Sequence, residues 1–361
     1  MLLKRTGARR SSHDLGLHHV PFVDSPFDFE NQFHKVFIIS LISEISGSNI
    51  GFGVEMHRVR RQGLGVKQAF ILGAGLGTRL QPLTHRLPKP LVPLFHKPLA
   101  FWAIEACQAI GISRFAVNTH HLLECWDTCR DSALDLTLFH EPVLLETGGG
   151  LKNIEEWIGD EPVLVHNGDI YSSMPLTKLV AAHEASGRPV TLALRSHGIA
   201  KHIALDATGS LITDIRGMLG KAEGAHVFSG IYCVNPDFLK LLPPREKVSV
   251  IPAFLELARR GDLGAVVLDE GLWLDLGDRE AYLQAHAELA LAPAIHADAM
   301  VHPDALVVDS VIGPGAEVAA GAVIRNSVLW PDVRVESGAD LTACVVYSDK
   351  PVSGFHCNED L

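Results

Sequence analysis

The chain has 361 residues, 47% hydrophobic and 20% charged, which is enough apolar mass for one large α/β domain plus a smaller module. A net charge of -11 argues against a dominant nucleic-acid surface, while leaving room for a local anion site. Six cysteines are scattered without a C-x-x-C pair, Cys125 and Cys129 being the closest two. That pattern argues against a disulfide framework or zinc site and fits buried thiols in a reducing cytoplasm.

Residues 1–66 read differently from the rest. Met1–Ser12 carries Lys4, Arg5, Arg9 and Arg10 and no acid, a faint likeness to a transit peptide. The apolar stretch Val36–Ile42 is too short to span a bilayer and is closed by Ser43 and Glu44, so no membrane association is expected. The expectation is a poorly ordered extension, or upstream sequence ahead of a start at Met56.

From Gln68 onward the rhythm is strand, loop, helix. Ala69–Leu72 reads as a buried parallel strand closed by glycines. Leu99–Ala109 has helical spacing and is ended by Gly111; strands follow at Phe115–Asn118, Leu136–Phe139 and Pro162–Val165. Leu176–Ala185 reads as a helix and Val190–Leu194 as another strand. This alternation predicts a doubly wound sheet with ligands at the carboxyl ends of its strands, after Leu72 and Val165.

The tail changes period after Pro293. Apolar residues fall at Ile295, Val301, Val307, Ile312, Val318, Ile324, Leu329, Val335, Leu341 and Val346, in steps of 6, 6 and 5 that repeat every 17 residues. Ala305, Ala322 and Ala339 align, as do Val311, Val328 and Val345, and Ser310, Ser327 and Cys344. Hexad spacing with small residues between predicts a β-helix of three triangular coils.

The chemistry concentrates in Leu72–Leu80 (LGAGLGTRL) and the segments Pro82–Thr84 and Pro88–Leu91 behind it. A glycine-rich turn after a buried strand lets the backbone approach a phosphate chain or a base. The run has neither the Gly-Lys-Ser/Thr ending of a P-loop nor the spacing of a dinucleotide-binding turn. Arg79 can fork onto phosphate oxygens and Lys89 can place a point charge near another phosphate.

The run from Gly73 to Pro93 resembles the signature of the sugar-1-phosphate nucleotidyltransferases, also called nucleotide-sugar pyrophosphorylases. The resemblance continues through Glu146–Gly150 (ETGGG), Asn167–Asp169 (NGD), Phe228–Ile231 (FSGI) and Trp273–Gly277 (WLDLG), covering roughly Lys67 to Leu289. It implies a Rossmann-like doubly wound mixed sheet at 67–291, followed at 292–361 by a short left-handed β-helix of hexapeptide repeats. It implies Mg²⁺ held by Asp169 and Asp275, catalytic roles for Arg79 and Lys89, and pyrophosphate as the leaving group. Nucleotide contacts fall to Leu72, Ala74, Gly75, Gly77, Thr78 and a Thr147-Gly148 turn lying against the base. Asn167 and Gly230 take the sugar phosphate. A phosphate monoester is already a competent nucleophile near neutral pH, so none of the 19 histidines is assigned a catalytic role, His120 and His121 included.

The chain departs from the family where many members carry a Glu-Lys-Pro motif. Between Arg195 and Val227 only Lys201, Arg216 and Lys221 supply further cations. The tail is similar to that of mannose-1-phosphate guanylyltransferases, which favours GTP and mannose 1-phosphate. The segment Glu141–Gly150 is more similar to uridylyltransferases of N-acetylmuramate 1-phosphate. A non-catalytic regulatory subunit on the same fold is an alternative, opposed by the intact Arg79, Lys89, Asp169 and Asp275. A second, acyl-transferring activity is opposed by the shortness of the tail. The tail is expected instead to mediate homo-oligomerisation or to sense a ligand.

Overall fold

The computed structural model describes residues 65–129 and 134–361; the basic amino-terminal run, Val36–Ile42 and Met56 lie outside the described residues. In chain order come β1 (Gln68–Leu72), α1 (Leu99–Gln108), β2 (Arg114–Thr119), β3 (Asp135–His140), α2 (Glu146–Asn153), β4 (Val163–Asn167) and the short β5 (Ile170–Ser172). Then follow α3 (Leu176–Ser186), β6 (Val190–Arg195), β7 (Val227–Val234), α4 (Ile251–Arg260), β8 (Leu263–Val267), the short β9 (Trp273–Asp275) and α5 (Arg279–Leu289). The strands and helices expected from the sequence agree with these to within a residue or two at their ends.

Seven strands form one sheet in the order β8-β6-β7-β4-β1-β2-β3. All run parallel except β7, which is antiparallel to both β4 and β6 and makes the sheet mixed. Both faces are covered, which is why β1 is apolar throughout: Phe70 enters one core cluster, Ala69 and Ile71 the other. The chain leaves β1 in one direction to β2 and β3 and in the other to β4. The carboxyl end of β1 is therefore a switch point where a crevice opens. No helix among the described residues is long and apolar enough to cross a membrane.

Beyond α5 the chain winds into coils whose short strands stack as three parallel sheets, the arrangement of a left-handed β-helix. Val301 pairs with Val318 and that with Val335; Val307, Ile324 and Leu341 form a second column, and Ile312 and Leu329 a third. The 17-residue register is the one expected from the hexads. Ser310 and Ser327 make a ladder at one corner, each hydroxyl accepting the N–H of the next coil at 3.0 Å, from Ser327 and Cys344 respectively. A partial fourth coil, not foreseen in the sequence, adds Phe355–Cys357 beside Asp340–Thr342. The step there shrinks from 17 to 15 residues, which breaks the pattern that revealed the others.

One apolar core runs through both parts of the molecule. Leu80, Leu83, Leu94 and Leu276 pack in the same cluster as Tyr282 of α5 and as Ile312, Leu329 and Trp330 of the β-helix. Tyr282 is fully buried; its hydroxyl donates to the Pro93 carbonyl at 2.6 Å and accepts from the Trp330 indole N–H at 3.1 Å. A polar tip satisfied on both sides lets a large aromatic group serve as the joint.

Candidate active site

The site is assembled from the segments that follow β1, β3 and β4 at their carboxyl ends, with Asn118 added from the end of β2. After β1 the chain turns at Gly77, whose φ of 62° and close approach to Thr84 (a Cβ would lie 2.7 Å from its Cγ2) both demand glycine. The Thr84 hydroxyl closes this turn by donating to the Gly77 carbonyl at 3.0 Å. Arg79 then stands exposed on a short 3₁₀ turn, and Lys89 follows on another with its side chain only 7% exposed.

After β4, the Gly168 N–H donates to the Leu72 carbonyl at 2.9 Å, and a Cβ on Gly168 would lie 2.7 Å from that oxygen. This close contact brings Asp169 against the end of β1. Strand β9 pairs antiparallel with β5, setting Asp275 opposite Ile170 and therefore beside Asp169. The Lys89 ammonium sits between the carboxylates, 2.8 Å from Asp169 Oδ2 and 4.0 Å from Asp275 Oδ1. Burial first, and then the neighbouring Asp169 charge, hold Asp275 above the usual carboxylate range, with Lys89 and Arg79 pulling the other way. Two hard oxygen donors that repel each other are a fitting pair for a divalent cation that keeps waters and phosphate oxygens as its other ligands. Among the described residues no group of three or more metal-ligating side chains converges.

A cavity of about 420 Å³ opens beside this cluster. Of the residues singled out in the sequence, Leu72, Ala74, Gly75, Gly77, Thr78, Arg79, Lys89, Thr147, Asn167 and Asp169 line it. Asp275 stands behind Lys89. Gly230 lies behind Asn167, where a Cβ would meet the amide nitrogen at 2.6 Å. No histidine lines the cavity.

The Thr147-Gly148 turn is a misreading: both residues belong to α2. The Gly148 N–H donates to the Val248 carbonyl at 2.8 Å, so it is not free for a base, and the Thr147 hydroxyl accepts from the Val250 N–H at 3.1 Å. The three glycines are there for space. A Cβ at Gly148 would lie 2.8 Å from the Val248 carbonyl, one at Gly149 would fall on the Glu246 carbonyl, and one at Gly150 would lie 2.8 Å from Glu141 Oε1. The helix packs onto backbone, and that contact outweighs the low helix propensity of glycine.

A buried polar chain, missed in the sequence, ties the walls of the cavity together. The Gly73 N–H donates to Asn118 Oδ1 at 2.7 Å, the Asn118 amide donates to Glu141 Oε1 at 2.7 Å, and the Leu145 N–H donates to Glu141 Oε2 at 2.9 Å. Asn118 and Glu141 are both buried. The one available signal was a polar residue at the carboxyl end of an apolar strand beside β1.

The family model described as nucleotidyl transferase matches residues 68–291, and that of a GlmU-like C-terminal hexapeptide matches residues 286–355. The chain is 29% identical over 280 residues to a mannose-1-phosphate guanylyltransferase of Mycobacterium tuberculosis, covering 70% of this chain and 77% of that protein. It is 30% identical over 241 residues to an N-acetylmuramate alpha-1-phosphate uridylyltransferase of Caulobacter vibrioides, covering 63% of this chain and 98% of that one. Among solved structures it is similar to a UDP-glucose pyrophosphorylase complexed with UDP-glucose. The TM-score is 0.54 at 19% identity, over 61% of this chain and 97% of that one, a likeness of fold.

Proposed function

Since the chain belongs to the nucleotidyl transferase family and is a sugar-1-phosphate nucleotidyltransferase, we propose that Arg79, Lys89, Asp169 and Asp275 form its catalytic centre. The observation that carries this reading is the buried Lys89 ammonium held between two carboxylates at the mouth of a glycine-lined cavity. Asp169 and Asp275 would hold Mg²⁺, which when bound neutralises phosphate charge.

The chain's own residues do the rest by position. Leu72, Ala74, Gly75, Gly77, Thr78 and Thr147 enclose the nucleotide, and Asn167, backed by Gly230, takes the sugar phosphate. Arg79 grips the phosphates that leave as pyrophosphate. Lys89 carries a fixed positive charge to where the acceptor oxygen meets the α-phosphorus. The acceptor is already ionised near neutral pH, so no side chain needs to remove a proton.

Guanylyl transfer to mannose 1-phosphate is supported by the β-helical tail and the mycobacterial relative. Uridylyl transfer to N-acetylmuramate 1-phosphate is supported by the Glu146–Gly150 helix start and by a relative matched over nearly its whole length. The test is pyrophosphate release with Mg²⁺ over a matrix of the four nucleoside triphosphates and several hexose 1-phosphates. Release should appear for at least one pair and vanish in Asp169→Ala; activity surviving that change would mean the metal site lies elsewhere.

A further inference from the structure

The segment in which the Glu-Lys-Pro motif is missing folds into a second pocket. A hairpin, Ile203–Leu205 with Ile212–Ile215, is tied to the edge strand β8 through Leu211 and Gly264, and the loop after it closes a cavity of about 640 Å³. Lys201, His202, Arg216 and Lys221 line this cavity, and Glu223 is the single acid among its lining residues. Among the described residues, Lys201, Arg216 and Lys221 form no ion pair, although most other cations of the molecule do.

The loop is fixed in place. Asp214 is fully buried beneath it and spends both carboxylate oxygens on loop amides, accepting from the Leu219 N–H at 3.0 Å and the Lys221 N–H at 2.9 Å. Arg216 takes a left-handed backbone, φ 57°, that a non-glycine residue adopts only at some cost, and its N–H donates to the His202 carbonyl at 2.7 Å. Strained and pinned, the loop holds Arg216 and Lys221 across the hollow from Lys201, which precedes the hairpin.

The pocket is connected to the active site through β7. His202 and Ile203 bond to His226 at the start of that strand, and Gly230, four residues on, touches Asn167 in the catalytic cavity. Between Phe228 and Tyr232 the strand bulges, four of its residues opposing two of β6, so the separation along it is less than the roughly 13 Å of four extended residues. A hexose anchored by its phosphate at Asn167, together with the long side chains of Lys201 and Arg216, covers that distance.

We propose that this pocket receives a second anionic group, a carboxylate or a phosphate, on the acceptor sugar 1-phosphate. The proposal rests on the reading of the chain as a transferase onto sugar 1-phosphates and adds the class of sugar. Of the two acceptors considered above, mannose 1-phosphate has no such group and N-acetylmuramate 1-phosphate has its lactyl carboxylate.

The experiment compares pyrophosphate release with neutral acceptors (mannose, glucose and N-acetylglucosamine 1-phosphates) and acidic ones (N-acetylmuramate and glucuronate 1-phosphates, glucose 1,6-bisphosphate), each with GTP and UTP. At least one acidic acceptor should exceed every neutral one by about tenfold or more in kcat/KM, the worth of one or two charge-assisted contacts. The combined Lys201→Ala, Arg216→Ala, Lys221→Ala variant should shrink that ratio through the KM of the acidic acceptor. Neutral acceptors used as well as acidic ones, or a ratio unchanged in the variant, would overturn the proposal while leaving the transferase reading intact. No release from any pair would overturn both.

Discussion

Replacing Asn118 by leucine should disable the site while leaving Arg79, Lys89, Asp169 and Asp275 unchanged. The substitution removes two bonds at once, leaving the buried Gly73 N–H without an acceptor and Glu141 Oε1 without its donor. An orphaned buried amide costs about 1–3 kcal/mol, and losing a hydrogen bond to a charged group about 1.5–3 kcal/mol. Leucine is branched where the amide was planar and cannot bridge 2.7 Å on either side, so relaxation recovers little of this. The expected loss is roughly 3–5 kcal/mol of unfolding free energy, read as a lowered urea midpoint with unchanged slope. Because the same bonds join the phosphate loop to the start of α2, KM for the nucleoside triphosphate should rise more than KM for the sugar phosphate. Asn118→Asp keeps the acceptor for Gly73 but sets a second carboxylate against Glu141 in place of an amide donor, so its urea midpoint should fall as well. A midpoint within about 1 kcal/mol of the parent for Asn118→Leu, with nucleotide KM unaltered, would refute the assignment of this chain as the tie between the walls.

Three further outcomes follow from the same geometry. Lys89→Met should lower kcat by about 100-fold or more, since a fixed charge at the reacting phosphates is lost. Its stability, checked by urea denaturation, should change by less than about 1 kcal/mol, because Asp169 and Asp275 are reached by water and are not stranded as buried ions. Burial brings His166 and His286 down to about 4 from an ordinary value of 6.5, so both fold neutral. The unfolded chain then gains protons that the folded one refuses: stability is whole above pH 6.5 and falls as pH drops from there towards 4. The loss is about 1.4 kcal/mol per pH unit for each histidine, and a urea midpoint flat from pH 7 to 5 would contradict it. Trp330→Ala should cost about 3–5 kcal/mol, measured by denaturation, and loss of only the tail's share of the transition would speak against a common core.

Local periodicity made much of the fold legible. The apolar run of β1 and the hexad columns from Ile295 to Val346 are short-range patterns, and the chain folded along them. What escaped notice depends on contacts between distant segments. Gly148, Gly149 and Gly150 look like a flexible turn in one dimension; only the backbone at 246–249 beside the first two, and the Glu141 and Asn118 side chains beside the third, reveal that a helix passes too close for any side chain. Asn118 and Glu141 are 23 residues apart, and neither belongs to a recognisable motif without the other. In the proposed catalytic cluster, Arg79 and Lys89 were readable from their own chemistry. Asp275 was reached through family resemblance alone, since its partnership with Asp169 is created by the pairing of β9 with β5, about a hundred residues apart in the chain.

The shared core alters how the tail should be understood. An appended module would leave a free-standing catalytic unit behind when removed, and the sequence invites that picture by its change of period at Pro293. The packing opposes it. Leu80 follows Arg79 directly and Leu276 follows Asp275 directly, and both are buried in the cluster that contains Trp330, Ile312 and Leu329. Arg86, between Arg79 and Lys89 in the chain, bonds to the Tyr347 carbonyl and the Asp349 carboxylate of the β-helix. Arg279 at the start of α5 reaches Asp360 at 2.6 Å, closing a third link near the other end of the tail. Cutting after Leu291 would therefore expose the underside of the segments that carry the proposed catalytic residues, not a surface already fit for water. The β-helix is part of the scaffold that positions Arg79 and Asp275, whatever it also binds, and a ligand or subunit that shifts it has a direct mechanical route to the chemistry.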